Sequence, residues 1–156
     1  MDKLEQFKAF MQKVNYLDRM LNRYQSLPQR YAPQILLYSS EADLLAEIGA
    51  REPITATELA RLKISTPSAI SQIVKKLDSK GLLVKETLDG NRKTIYLRLS
   101  EEGQQVYEAH RLREEKKYRT YLEELQGYTP EDLEKASALI DFLSEKYLDE
   151  FRALDM

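Results

Sequence analysis

Ser68, Ser71, Gln72 and Lys75 recur at i, i+3, i+4, i+7 spacing, so any helix that carries them lines them along one stripe. Hydroxyls, a carboxamide and an ammonium on one stripe are hydrogen-bonding chemistry. A glutamine can pair bidentately with adenine, a lysine can reach guanine acceptors or a phosphate, and small serines let a helix sit deep in a major groove. Pro67 and Lys76 fall on the same outer side, away from Ile70, Ile73 and Leu77. Ser65 and Thr66 stand where a helix would begin, and a helix N-terminus favours anions such as phosphate. Further along, Asn91, Arg92 and Lys93 form a basic run. On a hairpin tip such a run can enter a minor groove, where negative potential is focused. Each group alone is also what a solvated helix face or a charged turn looks like. Their order along the chain gives them weight.

The elements that must position these residues are legible. Thr55 with Glu58 is a T-x-x-E capping box opening a short helix whose Leu59, Ala60 and Leu62 face inward. Thr66-Pro67 is a hydroxyl N-cap followed by proline at the first helical position, and Gly81 supplies a left-handed stop. Leu82–Val84 and Ile95–Leu99 read as strands joined by a turn around Asp89-Gly90-Asn91. Ser100, Glu101 and Glu102 begin another helix, with acids at its positive end. Helix, turn, helix and basic hairpin predict a mainly α fold with a small β-wing, a winged helix-turn-helix over residues 39–103. Within it, Ser40 with Asp43 is expected to cap a helix that Gly49 and Pro53 close.

Two segments flank this module. Residues 1–38 hold a helix with Leu4, Phe7, Met11, Val14, Leu17, Leu21 and Tyr24 at helical spacing, then a connector. Residues 104–156 hold one helix ending at Gly127 and another capped by Thr129–Asp132. Their apolar stripes exceed what the small module can cover, so intertwining of two copies is expected. The chain has 10 tyrosines, and an amphipathic ring with a hydroxyl suits a small aromatic or anionic ligand, although tyrosines also fill helical interfaces.

The formal net charge of −2 conceals a segregation. Nine basic residues between Arg61 and Arg98 face three acidic ones, which leaves that segment at +6 and the rest of the chain at −8. One electropositive face steers toward phosphate. A chain of 156 residues, 42 % hydrophobic and 32 % charged, has the composition of a folded domain. It has no cysteine and a single histidine, His110, which argues against a transition-metal site. With 5 glycines and no glycine-rich phosphate loop, nothing points to an enzyme or a bound cofactor. The N-terminus has no signal-like apolar run, and the cytoplasm is the expected location.

The run TATELARLKISTPSAISQIVKKLDSKGLL, the basic hairpin and Leu99-Ser100-Glu101-Glu102-Gly103 closing it resemble the MarR family of winged-helix regulators over nearly the whole chain. The resemblance implies a homodimer of interlocked terminal helices whose two winged modules address a near-palindromic site. It implies that Ser71, Gln72 and the wing recognise DNA, and that ligands lodge between the dimerisation helices and the winged module, which makes Tyr24, Tyr31, Tyr38 and Tyr107 the candidates for holding a small aromatic or anionic ligand. Two positions depart from the pattern. The family's wing carries Asp-x-Arg where this chain has Asn91 and Lys93, with Asp89 and Arg92 shifted nearby, so Arg92 is expected to be the inserted residue. Many members have arginine where Gln72 stands, so base preference does not transfer. The expected function is a homodimeric, sequence-specific repressor of transcription, released by a small molecule. A winged helix used for protein–protein assembly, or a regulator without an effector, stays open on the sequence.

Overall fold

A computed structural model describes residues 1–88, 90 and 92–154. The element order is α1 (Lys3–Gln25), β1 (Gln29–Ala32), β2 (Ile35–Leu37), α2 (Ser39–Arg51), α3 (Ala56–Leu62), α4 (Pro67–Ser79), β3 (Leu83–Glu86), β4 (Tyr96–Leu99), α5 (Glu101–Glu124) and α6 (Pro130–Leu154). The chain divides into two compact units, Met1–Arg113 and Glu114–Met156.

The first unit holds the core. Leu44, Leu45 and Ile48 of α2, Leu59 of α3, Ile70 and Leu77 of α4, and Leu82 behind α4 are each at most 2 % exposed and belong to one cluster. Leu97 and Leu99 of β4 and Val106 of α5 join it. These are the positions that 3.6-residue periodicity on the helices and alternation on the strand assign to one side. β3 and β4 pair antiparallel with Leu83 opposite Leu99 and Glu86 opposite Tyr96. Ile54, between α2 and α3, adds a bridge to Leu97 and ties the base of this hairpin to the helices.

Three local expectations are corrected. The connector after α1 is a hairpin, β1 against β2 with an irregularity between Arg30 and Ala32, which Pro28 and Pro33 hide from a periodicity reading. The start of α2 is capped two residues earlier than Ser40 and Asp43 suggest. Tyr38 is the N-cap and donates its N–H to the Glu41 carboxylate at 2.8 Å. Gly49 does not close α2, which continues to Arg51. A Cβ on Gly49 would stand 2.8 Å from both Leu99 Cδ1 and Tyr107 Cδ2, so the glycine serves close packing.

The second unit consists of the end of α5 and α6. Thr129 and Asp132 cap α6 reciprocally, and Leu143 is its buried residue. No helix among the described residues is long and apolar enough to cross a membrane.

Candidate nucleic-acid interface

The site is built on α3 and α4. Thr55 Oγ1 accepts from Glu58 N–H, and the Glu58 carboxylate accepts from Thr55 N–H at 2.8 Å and from its hydroxyl at 2.9 Å. Those bonds stabilise the anion, and the Glu58 carboxyl is held below its ordinary range, chiefly by the Thr55 N–H. Ser65 N–H closes α3 by bonding back to Ala60 C=O at 3.0 Å. This closure places Ile64 at φ 47°, a left-handed conformation that β-branched residues avoid. The chain then re-enters helix at α4, where Thr66 Oγ1 accepts from Ala69 N–H at 3.1 Å and Pro67 occupies the first turn.

α4 buries Ile70, Val74 and Leu77 and presents its other side outward. Ser65, Thr66, Pro67, Ser68, Ser71, Gln72, Lys75 and Lys76 are all exposed. One continuous polar face therefore runs from the turn before α4 along the helix. Its hydroxyls, carboxamide and ammonium groups are of the kinds that can bond base edges and phosphates. Arg92 and Lys93 are exposed beyond β3, while Asn91 and Asp89 lie outside the described residues.

Of the nine basic residues between Arg61 and Arg98, three are held by carboxylates. Lys85 Nζ lies 2.8 Å from Asp78 Oδ2, Arg98 Nε 2.6 Å from Glu86 Oε1, and Lys80 Nζ 2.9 Å from Glu41 Oε1. Asp78 and Glu86 are already subtracted in the segment's net charge of +6, so of these pairs only Lys80–Glu41 draws in a carboxylate from outside it. The Lys80 pair has no signature in the sequence, because its partner is 39 residues away. Glu52 also went unsignalled. Its carboxylate accepts from Leu99 N–H at 2.7 Å and Gln104 Nε2 at 3.1 Å, joining the end of α2 to β4 and α5.

The four candidate ligand tyrosines are dispersed. A cleft of about 710 Å³ is lined by Tyr31, Pro33, Ile35, Lys80, Gln105 and Val106 among others, and Tyr24, Tyr38 and Tyr107 are not part of that lining. The Tyr31 hydroxyl lies 3.0 Å from His110 Nδ1, and the Arg113 guanidinium sits 4.2 Å above its ring. Arg113 also donates to Gln29 Oε1 and Arg30 C=O at 2.8 and 2.7 Å, latching β1 to α5. Tyr107 packs on the core beside Gly49, whereas Tyr24 and Tyr38 are exposed.

Comparisons with known proteins agree with this architecture. The model of the MarR family matches residues 37–93. The chain is 30 % identical over 111 residues to the uncharacterized HTH-type transcriptional regulator YhjH of Bacillus subtilis (strain 168), an alignment that takes in 71 % of this chain. The chain spans 63 % of that relative's length. Among solved structures it is similar to ZitR of Lactococcus lactis, a zinc-responsive MarR family member, with TM-score 0.67, 20 % identity, and 90 % of this chain and 97 % of that one covered. ZitR in complex with DNA gives TM-score 0.67 at 20 % identity over 94 % and 99 %. The adhesin competence repressor AdcR of Streptococcus pyogenes gives 0.65 at 18 % identity over 94 % and 98 %. At these identities the likeness is one of fold. The zinc response is ZitR's, and this chain has one histidine and no cysteine. Among the described residues no three histidine, cysteine or acidic side chains are grouped to hold a metal ion.

Proposed function

We propose that the chain is a member of the MarR family, whose model matches residues 37–93, and that it is a cytoplasmic, sequence-specific regulator of transcription that binds double-stranded DNA. It acts as a homodimeric repressor released by a small aromatic or anionic molecule. The observation that carries this reading is the face of α4. Eight polar or small residues from Ser65 to Lys76 stand exposed together on an element whose opposite side is fully packed. In it, Gln72 and Ser71 read bases, Lys75 and Lys76 engage bases or phosphate, and Arg92 enters the minor groove from the wing, with Asn91 and Lys93 beside it.

Residues 39–103 form the DNA-binding module, and residues 1–38 and 104–156 supply the dimerisation helices. Large apolar side chains left in water support that assignment. Leu17, Leu21 and Tyr24 of α1 are 56 %, 47 % and 44 % exposed, and Ile140, Phe142 and Phe151 of α6 are 49 %, 50 % and 56 % exposed. Surfaces of this kind mark association sites. A dimer presents two α4 helices to half-sites about 34–36 Å apart, so a ligand that changes their separation spoils the fit.

The test is fluorescence anisotropy with DNA from upstream of the protein's own gene, against excess random duplex at about 150 mM salt. Competitor-resistant binding that Gln72→Ala and Arg92→Ala both weaken supports the reading. Absence of DNA binding even at low salt overturns it in favour of a protein-interaction module.

A further inference from the structure

Among the described residues, Glu41 is the one polar or charged side chain that is buried, at 2 % exposure. Its carboxylate is a junction. One oxygen accepts the Tyr38 N–H at the start of α2, and the other meets Lys80 Nζ at 2.9 Å. The same ammonium donates to Leu36 C=O of β2 at 2.8 Å. Lys80 is the C-cap of α4, so this network fastens the rear of the helix to α2 and to the β1–β2 hairpin.

Apart from the exposed Asp78–Lys85 pair to β3, the rest of the attachment of α4 is apolar, through Ile70, Val74 and Leu77. Apolar contact holds a helix against its neighbours but is non-directional, and it tolerates small slides and rotations. Charge-assisted hydrogen bonds are directional and fix a particular geometry. Here Glu41 is buried while the Lys80 side chain is 31 % exposed. Ion pairs with a buried partner contribute little net stability against apolar replacements, and in some proteins they set conformational specificity instead. Reading base edges depends on placing Ser71 and Gln72 within hydrogen-bonding tolerance. A directional tie at the rear end of the same rigid helix governs that placement.

We infer that Lys80 and Glu41 are positioning residues for DNA recognition, setting the pitch and rotation of α4 rather than touching DNA. The inference rests on the proposed regulator function and goes beyond it, because it assigns specificity to residues outside the reading face. It also gives a lysine of the basic segment a role other than phosphate contact.

The experiment uses the full chain, a duplex selected by the wild type from a random pool, and a scrambled duplex, each titrated over a salt series. The paired variant Glu41→Gln/Lys80→Met removes both charges while keeping an acceptor for Tyr38 N–H. Thermal melts at matched concentration establish that it folds. The expected result is a loss of about tenfold in the ratio of selected to scrambled affinity, with the salt slope on scrambled DNA unchanged. Lys80→Arg, which preserves charge and donors, keeps the ratio within about twofold. If the paired variant does not fold, Lys80→Gln carries the same comparison, with an expected loss of about threefold. A folded variant that keeps the wild-type ratio overturns the inference. So does an equal loss on both duplexes with the slope reduced by about 1, which makes Lys80 a phosphate contact. Wild type that selects no sequence from the pool refutes the regulator reading itself, and the positioning role falls with it.

Discussion

Gly103 passes so close to Leu82 that a Cβ built on it would lie 2.1 Å from the Leu82 carbonyl oxygen. The contact exists because Ser100 begins α5 directly against the end of α4. Ser100 N–H donates to that same Leu82 carbonyl at 3.0 Å, and Ser100 Oγ donates to Gly81 C=O at 2.6 Å while accepting from Gly103 N–H. An added methyl there meets backbone that cannot rotate away. Gly103→Ala is expected to destabilise by about 3 kcal/mol, toward the upper end of overpacking costs. Gly49→Ala meets only the side chains of Leu99 and Tyr107 and costs about 1 kcal/mol. Urea midpoints of the two variants at equal protein concentration check the order, and equal losses would refute the backbone argument.

Ile64 is the opposite case, a residue whose replacement improves the fold. It is 74 % exposed and sits at φ 47° in the turn between α3 and α4. The left-handed conformation costs a Cβ-bearing residue about 1–2 kcal/mol, and glycine returns about 0.5–1 kcal/mol of that in lost chain freedom. Ile64→Gly is therefore expected to gain roughly 0.5–1 kcal/mol. Since little apolar contact is lost at this exposure, a melting temperature that falls instead would show that Ile64 packs against something, such as a second chain.

The capping residues Thr55, Thr66 and Thr129, the left-handed Gly81 at φ 73° and most of the buried faces of α3 and α4 were readable from the sequence, although Leu62, expected to face inward from the last turn of α3, is 47 % exposed. They depend on chemistry within four residues or on a fixed period. The winged fold and the family followed from the order of such local signals. What stayed hidden depends on distance along the chain. Nothing near Lys80 announces that Glu41 receives it, and nothing near Tyr31 announces His110 and Arg113 across about 80 residues. The segment's charge count missed the Lys80 pair for the same reason, since Glu41 lies outside the segment, whereas Asp78 and Glu86, which hold Lys85 and Arg98, were already in it. The β1–β2 hairpin escaped because its strands are 4 and 3 residues long, too short for a period to show.

No residue of α1 is buried, although Leu17 and Leu21 stand four apart on one stripe. Leu17→Glu/Leu21→Glu is expected to convert a dimer to monomer in sedimentation velocity. It should leave the first unit's core intact, because neither residue belongs to the core cluster. DNA affinity should fall with it, since a monomer engages one half-site. A double variant that still sediments as the wild type would remove α1 from the interface.

Acid titration isolates the cap that starts α3. Hydrogen bonds from Thr55 N–H and then its hydroxyl hold the Glu58 carboxyl below its ordinary value of 4.5. Those from Thr129 do the same for Asp132 at the start of α6, relative to 3.8. A carboxyl whose pKa is lower folded than unfolded adds stability that is fully present above the unfolded value and vanishes as pH falls through the folded one. Glu58→Gln keeps an acceptor but removes the charge, so near neutral pH it is expected to be less stable than the wild type. As pH drops below about 4.5 the wild-type glutamate protonates in the unfolded chain first, and the gap between the two proteins should close. Comparing urea midpoints of the pair from about pH 7 to about pH 3 cancels the carboxylates they share. A gap that stays constant down to about pH 3 would mean that the Glu58 cap acts through geometry alone and that its ionisation adds nothing to the stability of α3.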